Sequence, residues 1–169
     1  MRGALALFLT LYLLRALVAE ANSALSGAHI WLFAGGLYVA YSALMLPFRE
    51  GFAASLLGGL LCDSVAPLAF GTQTAVFAAA HVAVYGVRER LQRDETPVRL
   101  AVALIANLAF FLALSFARLR LVPAPATAWP RMLSDLLWSE AAVAAAGPWF
   151  FALQARTLEL ARAHGAHPA

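Results

Sequence analysis

The most constraining feature of this sequence is a pair of apolar segments, within residues 46–90, that flank a short turn. The turn contains one carboxylate, Asp63, together with Pro67 and Gly71. A carboxylate beside so much apolar sequence is costly to expose to lipid, so it normally faces protein, a cavity or water. Small residues before it allow helices to approach one another closely. The segment therefore predicts the centre of an integral membrane protein.

The composition agrees with that prediction. Of 169 residues, 63% are hydrophobic and 12% are charged, whereas a soluble domain is about half apolar and about a quarter charged. No polar stretch is long enough to fold separately, which indicates a single transmembrane domain over residues 1–169. The net charge of +3 comes from arginines without a clustered basic face, which argues against nucleic acid as a partner. The single cysteine, Cys62, excludes an intrachain disulfide and is read as a small apolar helix residue.

Hydropathy predicts an all-α protein with six transmembrane helices. The first resembles a signal peptide, but Arg15 interrupts the expected cleavage region, so an uncleaved helix is favoured. The third is short, since twelve residues give about 18 Å of helix. Either this helix continues past Asp63 to Pro67, or the turn dips below the membrane surface, shielded from lipid. The predicted spans are residues 4–19, 29–46, 51–62, 72–87, 100–117 and 132–153.

Arginine placement orients the predicted spans. Basic residues concentrate in cytoplasmic loops, and the asymmetry here predicts that both termini lie in the cytoplasm. One side carries Arg118, Arg120 and Arg131, with Arg15 inside the first span, and the other carries Arg2, Arg49, Arg88, Arg90, Arg93, Arg99, Arg156 and Arg162.

Small residues predict where helices touch. Gly51, Ser55 and Gly59 recur at intervals of four and share one helix face. Gly36 and Ala40 do the same in the second span. Close packing inside the subunit is the simpler interpretation, and a docking groove for another subunit's helix is the alternative.

Isolated polar residues leave several roles open. Asp63 could relay protons, bind an ion or accept structural hydrogen bonds, and a structural or helix-capping role is favoured because no second acidic residue lies nearby. His81 more often bonds a neighbouring helix than a metal, and Asn107 is expected to contact another helix. Arg15 can reach the interface by extending its side chain.

The last span begins with acidic residues, and enzyme signatures are absent. Asp135 and Glu140 suit a helix N-terminus, where the helix dipole favours negative charge. The sequence contains no GxSxG, Gly-Lys phosphate loop, HExxH or CxxC motif. We therefore predict no catalytic, cofactor or metal-binding residues.

Several residues together resemble the MreD family of bacterial rod shape-determining membrane proteins. Leu46-Pro47 precedes Arg49 at the end of the second span, and Gly58-Gly59-Leu60-Leu61-Cys62-Asp63 ends a small-residue-rich helix. Gly71 follows the aspartate, and the last span contains Pro148-Trp149-Phe150-Phe151 before a basic tail.

The resemblance implies a non-catalytic subunit of the cell-elongation machinery that binds MreC and helps to couple MreB to the peptidoglycan synthases. It also implies a fold similar to the S component of energy-coupling-factor transporters. That similarity supplies the alternative function, a substrate-binding subunit of a vitamin or metal transporter. A membrane enzyme would need paired acidic or histidine residues at one depth. The residues expected in helix packing or partner contact are Gly51, Ser55, Gly59, Asp63 and Gly71.

Overall fold

The described part of the chain is helical, without strands. The computed structural model describes residues 2–65, 68–91, 95–119 and 129–163. Short 3-10 turns follow the first and fourth helices, at Ser26–Ala28 and Arg88–Arg90. The α-helices are α1 (Arg2–Leu25), α2 (Gly35–Met45), α3 (Phe48–Asp63), α4 (Thr72–Val87), α5 (Thr96–Leu119) and α6 (Trp129–Ala163).

Three of the helical segments are long and apolar enough to cross a membrane: Phe8–Ala28, Thr96–Leu119 and Trp129–Thr157. The other helices are shorter. At 1.5 Å per residue, α2 is about 16 Å long and α3 and α4 are about 24 Å each, less than about 30 Å of hydrocarbon. The chain is therefore a helical membrane protein with three candidate spans, and six crossings remain a prediction.

The shortest helix, α2, lies at the centre of the core. Every residue from Gly36 to Leu44 is buried, and α2 packs against α3, α4, α5 and α6. Aromatic rings surround it. The Phe77 and Phe110 rings stack with centroids 4.8 Å apart, and Tyr38 lies 6.4 Å from Phe77. A helix buried on every side needs no polar face, which explains why α2 carries no charged residue.

The surface departs from the pattern of a soluble protein. Large apolar side chains cover the outside, and Trp149 is 81% exposed. Exposed apolar side chains over so much of the surface fit contact with lipid rather than water. The buried polar or charged residues, by contrast, are Asn22, Ser42, Ser55, Asp63, Gln73, His81, Asn107, Ser139 and Gln154.

Helix boundaries correct two sequence-based predictions. Residues 72–87 were predicted correctly as a helix, α4. The second helix does not start at His29, which has a left-handed φ of 57°, but at Gly35. The third helix ends at Asp63, so it does not continue towards Pro67, which lies outside the described residues. Most of the predicted loop at residues 118–131 also lies outside them, although α5 reaches Leu119 and α6 begins at Trp129.

Candidate functional site: polar side chains at buried helix ends

Asp63 caps the start of α4. One carboxylate oxygen, Oδ2, accepts hydrogen bonds from the Gly71 and Thr74 amides at 3.0 and 2.9 Å and from Thr74 Oγ1 at 2.6 Å. The other oxygen accepts from the Gln73 amide at 2.8 Å. These amides belong to the first turn of α4, where backbone N–H groups have no helical partner. The helix dipole also favours a negative charge here, so Asp63 connects α3 to α4 as a fully hydrogen-bonded anion.

Gly71 gives the turn its geometry. Its φ of 94° is left-handed, a region in which a Cβ atom is strained. No heavy atom lies within 4 Å of a Cβ built there, so the requirement for glycine comes from the backbone rather than from crowding. The structure thus brings Asp63 and Gly71, both singled out from the sequence, into one turn.

Two arginines bind carbonyl groups at helix C-termini. Arg15 Nη1 donates to the Leu61 carbonyl in the last turn of α3 at 2.9 Å. Arg88 Nη1 donates to the carbonyl of Leu46, the residue that follows α2, at 3.0 Å. Positive charge at a helix C-terminus is favourable. The Arg15 side chain turns towards the end of α3, and α1 continues beyond it to Leu25, so its extension to the membrane interface stays a prediction.

The segment before α2 is irregular, and side chains from α1 and α6 bind its backbone. Asn22 Oδ1 accepts from the Leu32 amide at 2.6 Å, and Asn22 Nδ2 donates to the Leu32 carbonyl at 3.0 Å. The Trp31 amide donates to Asp135 Oδ1 at 2.9 Å. Non-helical backbone at membrane depth persists only when it is shielded and its polar groups are paired. These contacts supply that pairing and shorten the second helix.

Ser139 and Asn107 extend the same contacts into the start of α2. The Phe33 amide donates to Ser139 Oγ at 3.0 Å. The Gly36 amide donates to Asn107 Oδ1 at 3.2 Å, and Asn107 Nδ2 donates to Glu140 Oε1 at 3.1 Å. A Cβ on Gly36 would lie 2.3 Å from the Asn107 backbone nitrogen. Glycine therefore allows α2 and α5 to touch.

The predicted dipole role of Asp135 and Glu140 is wrong. α6 begins at Trp129, so both residues lie beyond its first turn, where the dipole effect fades. Asp135 instead accepts from a backbone amide, and Glu140 accepts from Asn107.

Two serines and His81 form a second buried polar cluster. Ser42 Oγ and Ser55 Oγ lie 2.9 Å apart, and His81 Nδ1 lies 3.1 Å from Ser55 Oγ and 3.3 Å from Ser42 Oγ. His81 is fully buried, and its Nε2 has no hydrogen-bond partner. The rings of Phe48 and Phe52 each lie 5.8 Å from the imidazole. His81 thus bonds neighbouring helices on one side and packs against aromatic rings on the other.

The structure places the small-residue face of α3 inside the subunit. A Cβ on Gly51 would lie 2.4 Å from the Ser42 carbonyl oxygen, and one on Gly59 would lie 2.4 Å from Thr74 Cα. Ser55, between them, is fully buried in the serine–histidine cluster. These positions bring α3 against α2 and α4 and leave no open groove along the face.

Sequence reasoning missed several residues of these contacts, including Ser42, Thr74 and Ser139. Asn22 looks like an ordinary polar residue near a helix end, but it binds both backbone groups of Leu32. Gly58 also approaches α1 and α2, because a Cβ there would lie 2.6 Å from Leu11 and 2.8 Å from Tyr38. The adjacent glycines, Gly58 and Gly59, were the signal for Gly58, because they allow other helices to approach two faces of α3 closely.

The polar side chains do not converge on one point. Within the described ranges, no group of three His, Cys, Asp or Glu side chains could hold a metal ion. Most of the contacts run from a side chain to the backbone at a helix end, which stabilises architecture. Comparisons with protein-family models, curated proteins and solved structures give no match to this chain. The likeness to the MreD family and to the transporter S-component fold therefore stays a prediction.

Proposed function

We propose that this protein is a non-catalytic, multi-pass subunit of the bacterial cell-elongation machinery. In this role it binds an MreC-like membrane protein and helps to couple MreB filaments to peptidoglycan synthesis, and so contributes to cell shape. The proposal rests on the family resemblance of residues 46–71 and on one structural observation. The Asp63 carboxylate uses its oxygens to accept four hydrogen bonds at the start of α4. A carboxylate committed in this way suits a rigid scaffold.

The proposed topology has six crossings of the inner membrane with both termini in the cytoplasm. In this topology α2, α3 and α4 each cross the membrane, and the irregular segments that join them complete the crossings. The contact between Arg88 and Leu46 supports this arrangement, because it brings the end of α4 beside the α2–α3 turn. The end of α4 and the α2–α3 turn then both lie on the arginine-rich side of the protein.

The apolar exterior offers two kinds of neighbour, lipid and the membrane helix of a partner. Leu13 and Leu17 on α1 and Leu137 and Trp149 on α6 are all more than half exposed. A membrane partner would bind through van der Waals contact with such side chains, because lipid provides no hydrophobic driving force between helices.

Affinity purification tests this proposal. A tagged copy expressed at native level is captured from mild-detergent extracts, and copurifying proteins are identified by mass spectrometry against a tagged unrelated multi-pass protein. We expect enrichment of an MreC-like protein. Enrichment of ATPase subunits in its place would contradict the proposal and favour the transporter S component.

A further inference from the structure

Arg88 carries a positive charge that the described protein leaves largely unused. A guanidinium has five N–H donors in a planar fork. Arg88 donates through Nη1 to the Leu46 carbonyl, and its Cζ lies 3.6 Å from the centroid of the Tyr85 ring. Its Nε is buried without a hydrogen-bond partner. In the described ranges, no carboxylate pairs with this side chain, so its charge lacks a counter-ion.

The surroundings of Arg88 combine this charge with apolar surface. Arg88 lies directly after α4, on the side of the α2–α3 turn, and is half-buried. Phe48, at the start of α3, is 40% exposed, and Val82 and Val87 on α4 are 51% and 47% exposed. A half-buried cation at a helix end, above exposed apolar side chains, lies where a phospholipid places its phosphate above its acyl chains.

We propose that Arg88 binds the phosphate group of an anionic phospholipid. Arginine binds phosphate with parallel N–H···O bonds, and charge-assisted bonds of this kind are stronger than neutral ones. Among the described residues Nη2 has no partner, and it is not fully buried, so it donates to the phosphate. Its two N–H groups are available while the stack on Tyr85 and the bond to Leu46 are kept. The lipid's acyl chains lie along Phe48 and Val82.

The contact of the Arg88 guanidinium with the Tyr85 ring favours a specific lipid site over non-specific electrostatic attraction. The ring holds the guanidinium in one orientation, and the bond to Leu46 fixes one end of the fork. Less rotamer entropy is then lost on binding. Arg90, two residues further on, is exposed and contributes only long-range attraction, which salt screens. The inference needs only that the protein is embedded in lipid, and it is independent of the proposed role in elongation.

The test uses the full chain in neutral detergent micelles, with the wild type, Arg88→Gln, Arg88→Lys and Arg90→Gln. Native mass spectrometry measures retained phosphatidylglycerol and phosphatidylcholine, and thermal unfolding measures the stabilisation by each lipid and by inorganic phosphate. We expect the wild type and Arg90→Gln to retain phosphatidylglycerol in preference to phosphatidylcholine. Arg88→Gln should bind phosphatidylglycerol about tenfold more weakly, because it loses hydrogen bonds from a charged donor. Arg88→Lys should be intermediate.

Three outcomes would overturn the inference. Equal retention of the two lipids by the wild type would show that no anionic site exists, and this comparison needs no variant. If phosphatidylglycerol stabilises Arg88→Gln as much as it stabilises the wild type, even when the variant is less stable without lipid, then Arg88 bonds Leu46 but does not bind the lipid. Equal stabilisation by inorganic phosphate at matched concentration would identify a site for free phosphate rather than lipid.

Discussion

Thr74 Oγ1 donates a hydrogen bond to Asp63 Oδ2 over 2.6 Å, and the Thr74 amide donates to the same oxygen over 2.9 Å. One residue of α4 thus binds the last residue of α3 twice. The Gly71 amide, eight positions after Asp63, donates to the same oxygen at 3.0 Å. These bonds join α3 to α4.

Removing the charge of Asp63 should weaken the connection between α3 and α4. In Asp63→Asn one acceptor oxygen remains, and the amide group faces N–H donors. We expect a loss of about 2–3 kcal/mol in unfolding free energy, typical of hydrogen bonds to a charged group, and a greater loss of folded protein in Asp63→Leu. Thermal unfolding in micelles and the yield of folded protein measure the effect.

Thr74→Val provides the matched comparison, because it removes the hydroxyl donor and keeps the Thr74 amide. Its destabilisation should be smaller than that of Asp63→Asn. Unchanged yield and unfolding temperature in both Asp63 variants would show that the carboxylate does not support the fold.

Gly71→Ala should destabilise the protein through backbone strain alone. The left-handed φ of 94° disfavours a Cβ atom by about 1–2 kcal/mol, and the surrounding space is open. Gly86 in α4 is the control, because its surroundings are also open but its backbone is helical. Gly86→Ala should leave stability unchanged or raise it by up to about 1 kcal/mol. Equal effects of the two substitutions on the unfolding temperature would contradict the assigned turn geometry.

Bulky residues on the interior face of α3 should separate packed helices. Even Gly59→Ala places a Cβ 2.4 Å from Thr74 Cα, and overpacking costs about 1–3 kcal/mol. Ser55→Leu and Gly59→Leu should be more severe, and in a rod-shaped host that depends on this protein the cells should become round. The exposed position Leu57 serves as control, and Leu57→Ala should keep the rod shape. Normal rods at native expression of both leucine variants would mean that this face is not packed.

Single-cysteine labelling tests the proposed orientation. Ala124→Cys and Ala166→Cys, each in a background without Cys62, are exposed to an impermeant thiol reagent on intact spheroplasts. Both positions lie outside the described residues, and the arginine asymmetry alone carries the expectation. We expect Ala124→Cys to react and Ala166→Cys to react only after lysis. The reverse pattern would place the termini outside the cytoplasm.

Hydropathy predicted where helices exist better than where they end. The bounds of α4 were predicted correctly because a turn signal precedes it and basic residues follow it. The start of α2 was missed because residues 29–34 are as apolar as the helix that follows. Their backbone is held out of helix by Asn22, Asp135 and Ser139, which are distant in sequence. Such contacts depend on tertiary packing, which a linear pattern does not encode.

In the candidate site, too, local features could be predicted from the sequence and contacts between distant helices could not. The capping role of Asp63 and the interval of Gly51, Ser55 and Gly59 could be read locally, since a turn and a helix face are local features. The pairing of Ser42 with His81 could not, because it depends on α2 and α4 meeting across α3.

Backbone hydrogen exchange tests most directly whether the buried polar side chains are committed to helix ends. Amides in the first turn of a helix lack helical partners and ordinarily exchange rapidly. We predict that in micelles the Gln73 and Thr74 amides, bound by Asp63, and the Leu32 amide, bound by Asn22, exchange as slowly as amides inside α4. Protection at Gln73 and Thr74 should be lost in Asp63→Asn. Rapid exchange of all three amides in the wild type would contradict the structural role assigned to these side chains.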